Sequence, residues 1–282
     1  MKIIQSAKSI NALSVKWRMA GKEISLVPTM GCLHEGHLSL MRKARAVSDK
    51  VIVSLFVNPM QFSQGEDFDS YPDQFEKDCE LIKNEGVDAL FRPTSEEMYN
   101  NTFQTGISVE SLSKGMCGKD RPGHFDGVAT VVAKLFNITC PDSAVFGDKD
   151  FQQLVIIRQL VKDLNYNIEI VGAPIVREED GLAMSSRNLY LDPDGRKCAI
   201  CLYQAIQASQ KIIRTMDKVP AAKIIELTKE IVARAGAELE YAVVVNESTL
   251  MSDEIVNKNS VLALAVKVGQ SVRLIDNSKL MA

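Results

Sequence analysis

The sequence has little histidine, no dense basic cluster and no apolar run of membrane-spanning length. Each shortage removes a class of explanation. A membrane-crossing helix needs about 20 consecutive apolar residues, and no segment offers them. Lys and Arg total 33 against 36 Asp and Glu, a net charge of −3, so nothing marks a nucleic-acid partner. The opening Met1-Lys2-Ile3-Ile4-Gln5-Ser6 lacks the long apolar core of a signal peptide, and a cytoplasmic enzyme is the plain expectation. The cysteines, at 32, 79, 117, 140, 198 and 201, are scattered as reduced thiols are in a cytosolic chain. Cys198 and Cys201 have the spacing of a redox or metal pair. They lack a second pair and a nearby histidine, and they lie in a helical apolar pattern, so they read as core thiols. No internal repeat or low-complexity segment is present. With 282 residues and 46% hydrophobic content, the chain can form one large or two ordinary domains.

Two of the three histidines fall in one stretch, Pro28-Thr29-Met30-Gly31-Cys32-Leu33-His34-Glu35-Gly36-His37. The apolar run Ile24–Val27 precedes it and a helical pattern, Leu38–Ser48, follows. That order places two imidazoles and a bare glycine backbone at the N-terminal pole of a helix. Such a pole attracts phosphate through unpaired amides and a positive dipole end. The bland reading is two exposed histidines at a helix start, and the strand–glycine–helix context weighs against it. A zinc-protease motif needs histidines four apart, and these are three apart. A His34/His37/His124 zinc site ranks low, because a positive helix pole disfavours a bare dication.

The first 176 residues alternate strand-like and helix-like runs. Strands are expected at Ile24–Val27, Val51–Val57, Ala89–Arg92, Ala144–Phe146 and Ile168–Val171. Helices are expected at Leu38–Ser48, Gln74–Glu85, Val128–Ile138 and Phe151–Leu164. This pattern implies a Rossmann-like α/β fold, a parallel sheet with helices on both faces. Ligands of such sheets bind beyond the carboxyl ends of the strands. The His34/His37 stretch, Asn58-Pro59-Met60-Gln61-Phe62 and Gly147-Asp148-Lys149-Asp150 each follow a strand there. Ser111–Gly127 reads as one long glycine- and charge-rich loop, of a length that is usually functional or disordered. The pattern breaks near Gly172–Glu179, dividing the chain into residues 1–176 and a smaller α+β domain at 177–282. Helices are expected there at Arg196–Ile213 and Ala221–Ala235, and strands at Tyr241–Val245, Val261–Val268 and Val272–Ile275.

Lys149 offers a point cation for phosphate. Asp150 suits ribose hydroxyls, although a helix cap is the safer reading of it alone. Met184-Ser185-Ser186-Arg187-Asn188 places two hydroxyls beside a guanidinium, a phosphate clamp on a second domain able to close over a ligand held by the first. Gln61 and Gln153 are neutral amides suited to a small polar acid, or else ordinary surface residues.

Taken together, these segments closely resemble the pantothenate synthetase family, ATP-dependent ligases that join pantoate to β-alanine. The resemblance rests on Pro28–Gly31 with His34–His37, Asn58–Phe62, Arg121–Gly127, Phe146–Gln153 and Asp180–Asn188, in the family's order. A histidine pair of this kind occurs throughout a broader nucleotidyltransferase superfamily; the Asn58–Phe62 and Gly181–Asn188 segments are more selective. The resemblance implies a pantoyl-adenylate intermediate, with pyrophosphate and then AMP released. It implies an ATP site of Met30, Gly31, Cys32, Leu33, His34, Glu35, Gly36 and His37, with Gly147, Asp148, Lys149, Asp150, Val176, Met184, Ser185, Ser186 and Arg187. Within it, His34, His37, Lys149, Ser185, Ser186 and Arg187 act on the phosphates. Donating hydrogen bonds to developing charge suits the chemistry of His37 better than literal protonation, since pyrophosphate needs little protonation to leave. The resemblance also implies that Gln61, Gln153, His124 and Arg121 bind pantoate and β-alanine. Magnesium is expected with ATP, with Asp78 at a position the family credits with the metal, although Lys77 stands where some relatives carry another acid. A homodimer is implied. Two rivals remain: a nucleotidyltransferase that stops at an adenylylated product, and a catalytically silent nucleotide-binding protein.

Overall fold

The computed structural model describes residues 1–62, 68, 73–269 and 272–281. The chain forms two compact units. One comprises Met1–Asp148 and Ile156–Pro174; the other comprises Lys149–Val155 and Ile175–Ala282.

The first unit is built on six parallel strands: β1 (Lys2–Ile4), β2 (Ile24–Thr29), β3 (Lys50–Leu55), β4 (Ala89–Phe91), β5 (Ser143–Gly147) and β6 (Glu169–Ala173). Flanking helices are α1 (Ala7–Met19), α2 (Glu35–Val47), α3 (Phe75–Asn84), α4 (Ser95–Met98), α5 (Cys117–Asp120), α6 (His124–Thr139) and α7 (Phe151–Asp163), whose first turns belong to the second unit. The strand order is β1-β4-β3-β2-β5-β6. From β2 the chain steps outward through β3 to β4, and from β5 it steps the other way to β6. The reversal falls between β2 and β5, the switch point where such sheets bind ligands. The expected Rossmann-like sheet is therefore present.

Burial explains the strands. In β2 every residue is buried except half-buried Pro28, and β3 is buried from Val51 to Leu55, as parallel strands covered on both faces require. Proline has no N–H for a ladder. The β2–β5 pairing involves only Ser25 and Leu26, so Pro28 lies past it. Val27, Met41, Ala44, Val53, Ile82 and Val145 fill the core beneath α2.

Several elements differ from the sequence reading. β1 and α1 were not expected: β1 has three residues, and α1 buries only Ile10 and Ser14, which leaves too thin an apolar stripe to register. The Ser111–Gly127 loop contains the helical turn α5 and the start of α6. The latter begins at His124, not Val128, because Gly123 turns the chain at φ +81°. Gly127 permits the close approach that follows, since a Cβ there would come within 2.2 Å of the Met60 carbonyl oxygen.

The second unit holds an antiparallel sheet, β7 (Glu238–Asn246), β8 (Ser260–Val268) and β9 (Val272–Lys279), with β8 central. Helices α8 (Pro193–Ala199), α9 (Cys201–Ile213) and α10 (Ala221–Arg234) accompany it. Leu202, Ile206, Ile224, Leu262, Leu264 and Leu274 form its core. The single helix expected at Arg196–Ile213 is two, separated at Ile200. The first starts earlier because Asp192 caps it, accepting from the Gly195 amide, with Pro193 in its first turn. Cys201 is buried in this core, and burial pushes its thiol up to about 12; it packs as an inert apolar residue.

Candidate active site

β3, β2 and β5 are adjacent and parallel, so the segments that follow them, beginning at Phe56, Met30 and Asp148, lie at one edge of the sheet. After β2 the backbone turns sharply, with φ +89° at Gly31 and +52° at Cys32. The left-handed region is uncommon for a residue with a side chain. The next two amides meet one carboxylate: Cys32 N–H donates to Asp78 Oδ2 at 2.8 Å, and Leu33 N–H to Oδ1 at 2.9 Å. Asp78, on α3, is 1% exposed. Burial pushes its carboxyl up, and the two amides pull against that rise. A cavity of about 470 Å³ adjoins the turn, bordered by Met30, Gly31, Leu55, Asp78 and Arg92.

One residue further on, His34 caps α2. Its Nδ1 accepts the Gly36 N–H at 3.2 Å, and His37 Nδ1 accepts the His34 N–H at 3.3 Å. This is a capping box made of two imidazoles. A ring nitrogen that accepts carries no proton, so the proton of the neutral ring is on Nε2. Both histidines are thereby set as Nε2–H donors, with ring centroids 4.1 Å apart. The helix dipole adds positive potential at this pole. Glu35 is neutralised within its own helix by Arg42, which also pairs with Glu85 at 2.5 Å.

Gln61 is held from three directions. Asn58, 1% exposed, has its amide orientation fixed, because Oδ1 accepts the Met60 N–H (3.3 Å) while Nδ2 donates to the Gly127 carbonyl (3.1 Å). The same Nδ2 donates to Gln61 Oε1 at 3.1 Å, which turns Gln61 Nε2 to the other side, 2.8 Å from Met30 Sδ. Tyr99 hydroxyl donates to Asn58 Oδ1 at 2.8 Å, and burial pushes that phenol well up. The Gln61 backbone carbonyl accepts from His124 Nδ1 at 2.6 Å and from Arg121 Nη2 at 3.3 Å. Arg121 Nη1 donates to His124 Nε2 at 3.1 Å, so His124 is neutral with its proton on Nδ1. Both His124 nitrogens are thus engaged, which removes it as a zinc ligand for His34 and His37. His124 and Arg121 thus both bond the Gln61 backbone carbonyl. The position of Asn58 directly before Pro59 is a capping signal that could have singled it out; the part played by Tyr99 has no local signal.

In the second unit, Val176 and Met184 lie side by side, with Met184 N–H donating to the Val176 carbonyl at 2.9 Å. Ser185 caps the turn Ser186–Tyr190 by accepting the Arg187 N–H at 3.3 Å. Asn188 Nδ2 ties that turn to the Ala183 carbonyl at 3.1 Å and to Glu178 at 2.6 Å. Arg177 forms a two-point pair with Asp276, at 2.6 and 2.9 Å, and lies against the Tyr203 ring. Gly181, at φ +91°, leaves room for that ring, which a Cβ would meet at 2.0 Å. Asn277, next to Asp276, donates to the Lys149 carbonyl at 3.0 Å, anchoring the turn Asp148–Asp150 that feeds α7. Gln153 is on the first turn of α7, in this unit. Arg177, Asp276 and Asn277 escape sequence reasoning because they meet across about a hundred residues of chain.

The chain matches the model of the family described as pantoate-beta-alanine ligase over residues 2–279. It is 48% identical over 285 residues to the pantothenate synthetase of Desulfotalea psychrophila, covering 100% of both chains. To that of Desulfatibacillum aliphaticivorans it is 49% identical over 280 residues, covering 99% of both. The solved pantothenate synthetase of Thermus thermophilus superposes with a TM-score of 0.94 at 39% identity, covering 100% of both chains. The pantoate-beta-alanine ligase of Francisella tularensis, solved with beta-gamma ATP and beta-alanine, gives 0.82 at 36% identity, covering 99% of this chain and 98% of that one. A histidine-capped helix at the switch point, a locked glutamine beside it and likeness along the whole chain lead to one conclusion: the chain belongs to the pantoate-beta-alanine ligase family.

Proposed function

We propose that the chain condenses pantoate with β-alanine at the expense of ATP. A pantoate carboxylate oxygen attacks the α-phosphorus of ATP, the bond to the bridging oxygen breaks, and pyrophosphate leaves. The β-alanine nitrogen then attacks the acyl carbon of pantoyl adenylate, loses a proton, and displaces AMP as the amide forms. The observation that carries this reading is the double-imidazole cap. His34 and His37, along the segment Met30–His37, donate Nε2–H bonds to the phosphates, and neutral donors fixed in advance stabilise charge as it builds. Lys149, Ser185, Ser186 and Arg187 add donors to the same phosphates, Gly147, Asp148 and Asp150 bind ribose and phosphate, and the Val176 backbone meets adenine. Met184 leads the 177–282 region into its phosphate clamp, while residues 1–176 carry most of the ATP and pantoate contacts.

Gln61 presents an amide N–H to the pantoate acid, as its orientation by Asn58 supports, and Gln153 takes the second polar position. His124 and Arg121, which bond the Gln61 carbonyl, complete the pantoate and β-alanine side. Magnesium enters with ATP as part of the substrate and neutralises the polyphosphate. Asp78, the family's metal position, instead engages a backbone amide with each carboxylate oxygen. The enzyme works in the cytoplasm as a homodimer; sedimentation at micromolar concentration is expected to give twice the chain mass, and a monomer would remove that part.

The test is AMP release in the presence of ATP, magnesium and pantoate, with and without β-alanine. The ligase releases AMP and pantothenate together only when β-alanine is added. A stable adenylylated product indifferent to β-alanine would support the nucleotidyltransferase reading instead.

A further inference from the structure

We infer that Asp78 is a positioning residue for adenylate formation: its buried carboxylate holds the Cys32–Leu33 turn that aims His34 and His37. The inference rests on the assignment of those two histidines to the ATP phosphates. The family position suggests a metal ligand, but the bonding here is different. Each oxygen of Asp78 takes one backbone amide, at 2.8 and 2.9 Å, and the side chain is almost fully buried. Magnesium takes one or two carboxylates together with waters and substrate phosphates, whereas both oxygens of Asp78 are turned to backbone amides. Here a cation, Lys77, immediately precedes Asp78.

The turn needs an anchor. Gly31 and Cys32 are consecutive positive-φ residues, and a side-chain-bearing residue stays left-handed only where its surroundings hold it there. Successive amides that converge in such a turn form a small anion-binding concavity, and Asp78 fills it from within the chain. Carboxylate and turn fit one another closely: a Cβ on Gly31 would lie 3.0 Å from Asp78 Oδ2. Only buried Leu33 separates Cys32 from His34, the cap of α2. A shift of the turn therefore passes directly to both imidazoles.

Three readouts on Asp78→Asn and Asp78→Ala test this. They are single-turnover pyrophosphate release, the magnesium concentration giving half-maximal rate, and amide hydrogen exchange of residues 30–38 without ATP or metal. The rate is expected to fall roughly 10- to 100-fold, as misplaced donors cost, and less in the Asn variant, which keeps one acceptor. Half-saturation by magnesium stays within about twofold, since uniform loss of rate leaves a binding constant alone. Exchange at Cys32 and Leu33 quickens. A rate restored by excess magnesium, with unchanged exchange, would make Asp78 a metal ligand and overturn the inference. An unchanged rate would overturn it as well. If both variants unfold, Gly31→Ala presses the turn against the carboxylate from the other side and is expected to reproduce the slow rate and fast exchange; wild-type behaviour there would count against the inference. The wild-type enzyme is assayed first for β-alanine-dependent AMP release. Failure there strikes the ligase reading, whereas exchange in the ligand-free chain addresses the anchoring by Asp78 alone.

Discussion

In the proposed reaction, His34 and His37 are the residues that meet the phosphates. Their Nδ1 atoms are committed to capping α2, so the proposed phosphate donors are held by the same bonds that start the helix. His37→Ala is expected to slow adenylate formation by roughly 100- to 1000-fold, the usual effect of losing one transition-state donor. Pantoate binding, measured by its dissociation constant, should change far less; equal losses in both would assign His37 to binding. His34→Asn separates the two duties, because asparagine is a good helix cap. Thermal stability should be nearly unchanged while adenylation falls. Gln61 gives a third case. Asn58→Asp places an acceptor against Gln61 Oε1 and the Gly127 carbonyl, and is expected to raise the pantoate KM by about 10- to 100-fold, the cost of an unsatisfied buried polar group. An unchanged KM would mean that the Gln61 amide does not read the substrate acid.

At the scale of elements, buried polar ties hold the functional segments in place. Asp88 joins β3 to α2 through Lys50 at 2.8 Å, Arg45 and the Val51 amide at 3.0 Å. Burial raises its carboxyl, but those bonds outweigh burial and hold it below the ordinary 3.8. A depressed carboxyl stabilises the fold above the unfolded value and loses that contribution as pH falls through the folded one. The stability gap between the wild type and Asp88→Asn, read by urea midpoint, should therefore be full at neutral pH and close below pH 3.8. In the second unit, Arg177→Met leaves Asp276 buried without its partner. The expected cost is about 3 to 5 kcal/mol, largely recovered when Asp276→Leu is added.

The legible elements were those with strong local patterns. β2, β3 and α2 announced themselves through two-sided apolar runs and a histidine-capped pole. The first helix, α1, left no such trace, since it buries two residues, and the break at Ile200 was masked by continuous apolar spacing. For the site, the histidine pair was readable from short-range chemistry, whereas Gln61 stood out from ordinary surface glutamines only through the family resemblance. The role of Asp78 was not readable, because its partners Cys32 and Leu33 lie more than forty residues away and bond through their backbones, which carry no sequence signature.

At the scale of the molecule, each unit has its own hydrophobic core, and the likeness to solved pantothenate synthetases extends over the whole chain. In the proposed reaction, pantoate attacks the α-phosphorus of ATP while His34 and His37 steady the phosphates. The most direct measurement follows oxygen. Pantoate labelled with heavy oxygen in its carboxylate is supplied with ATP, magnesium and β-alanine, and the products are weighed by mass spectrometry. Attack at the α-phosphorus leaves one labelled oxygen in AMP and none in pyrophosphate. AMP without label, or label in released phosphate or pyrophosphate, would contradict the adenylate route.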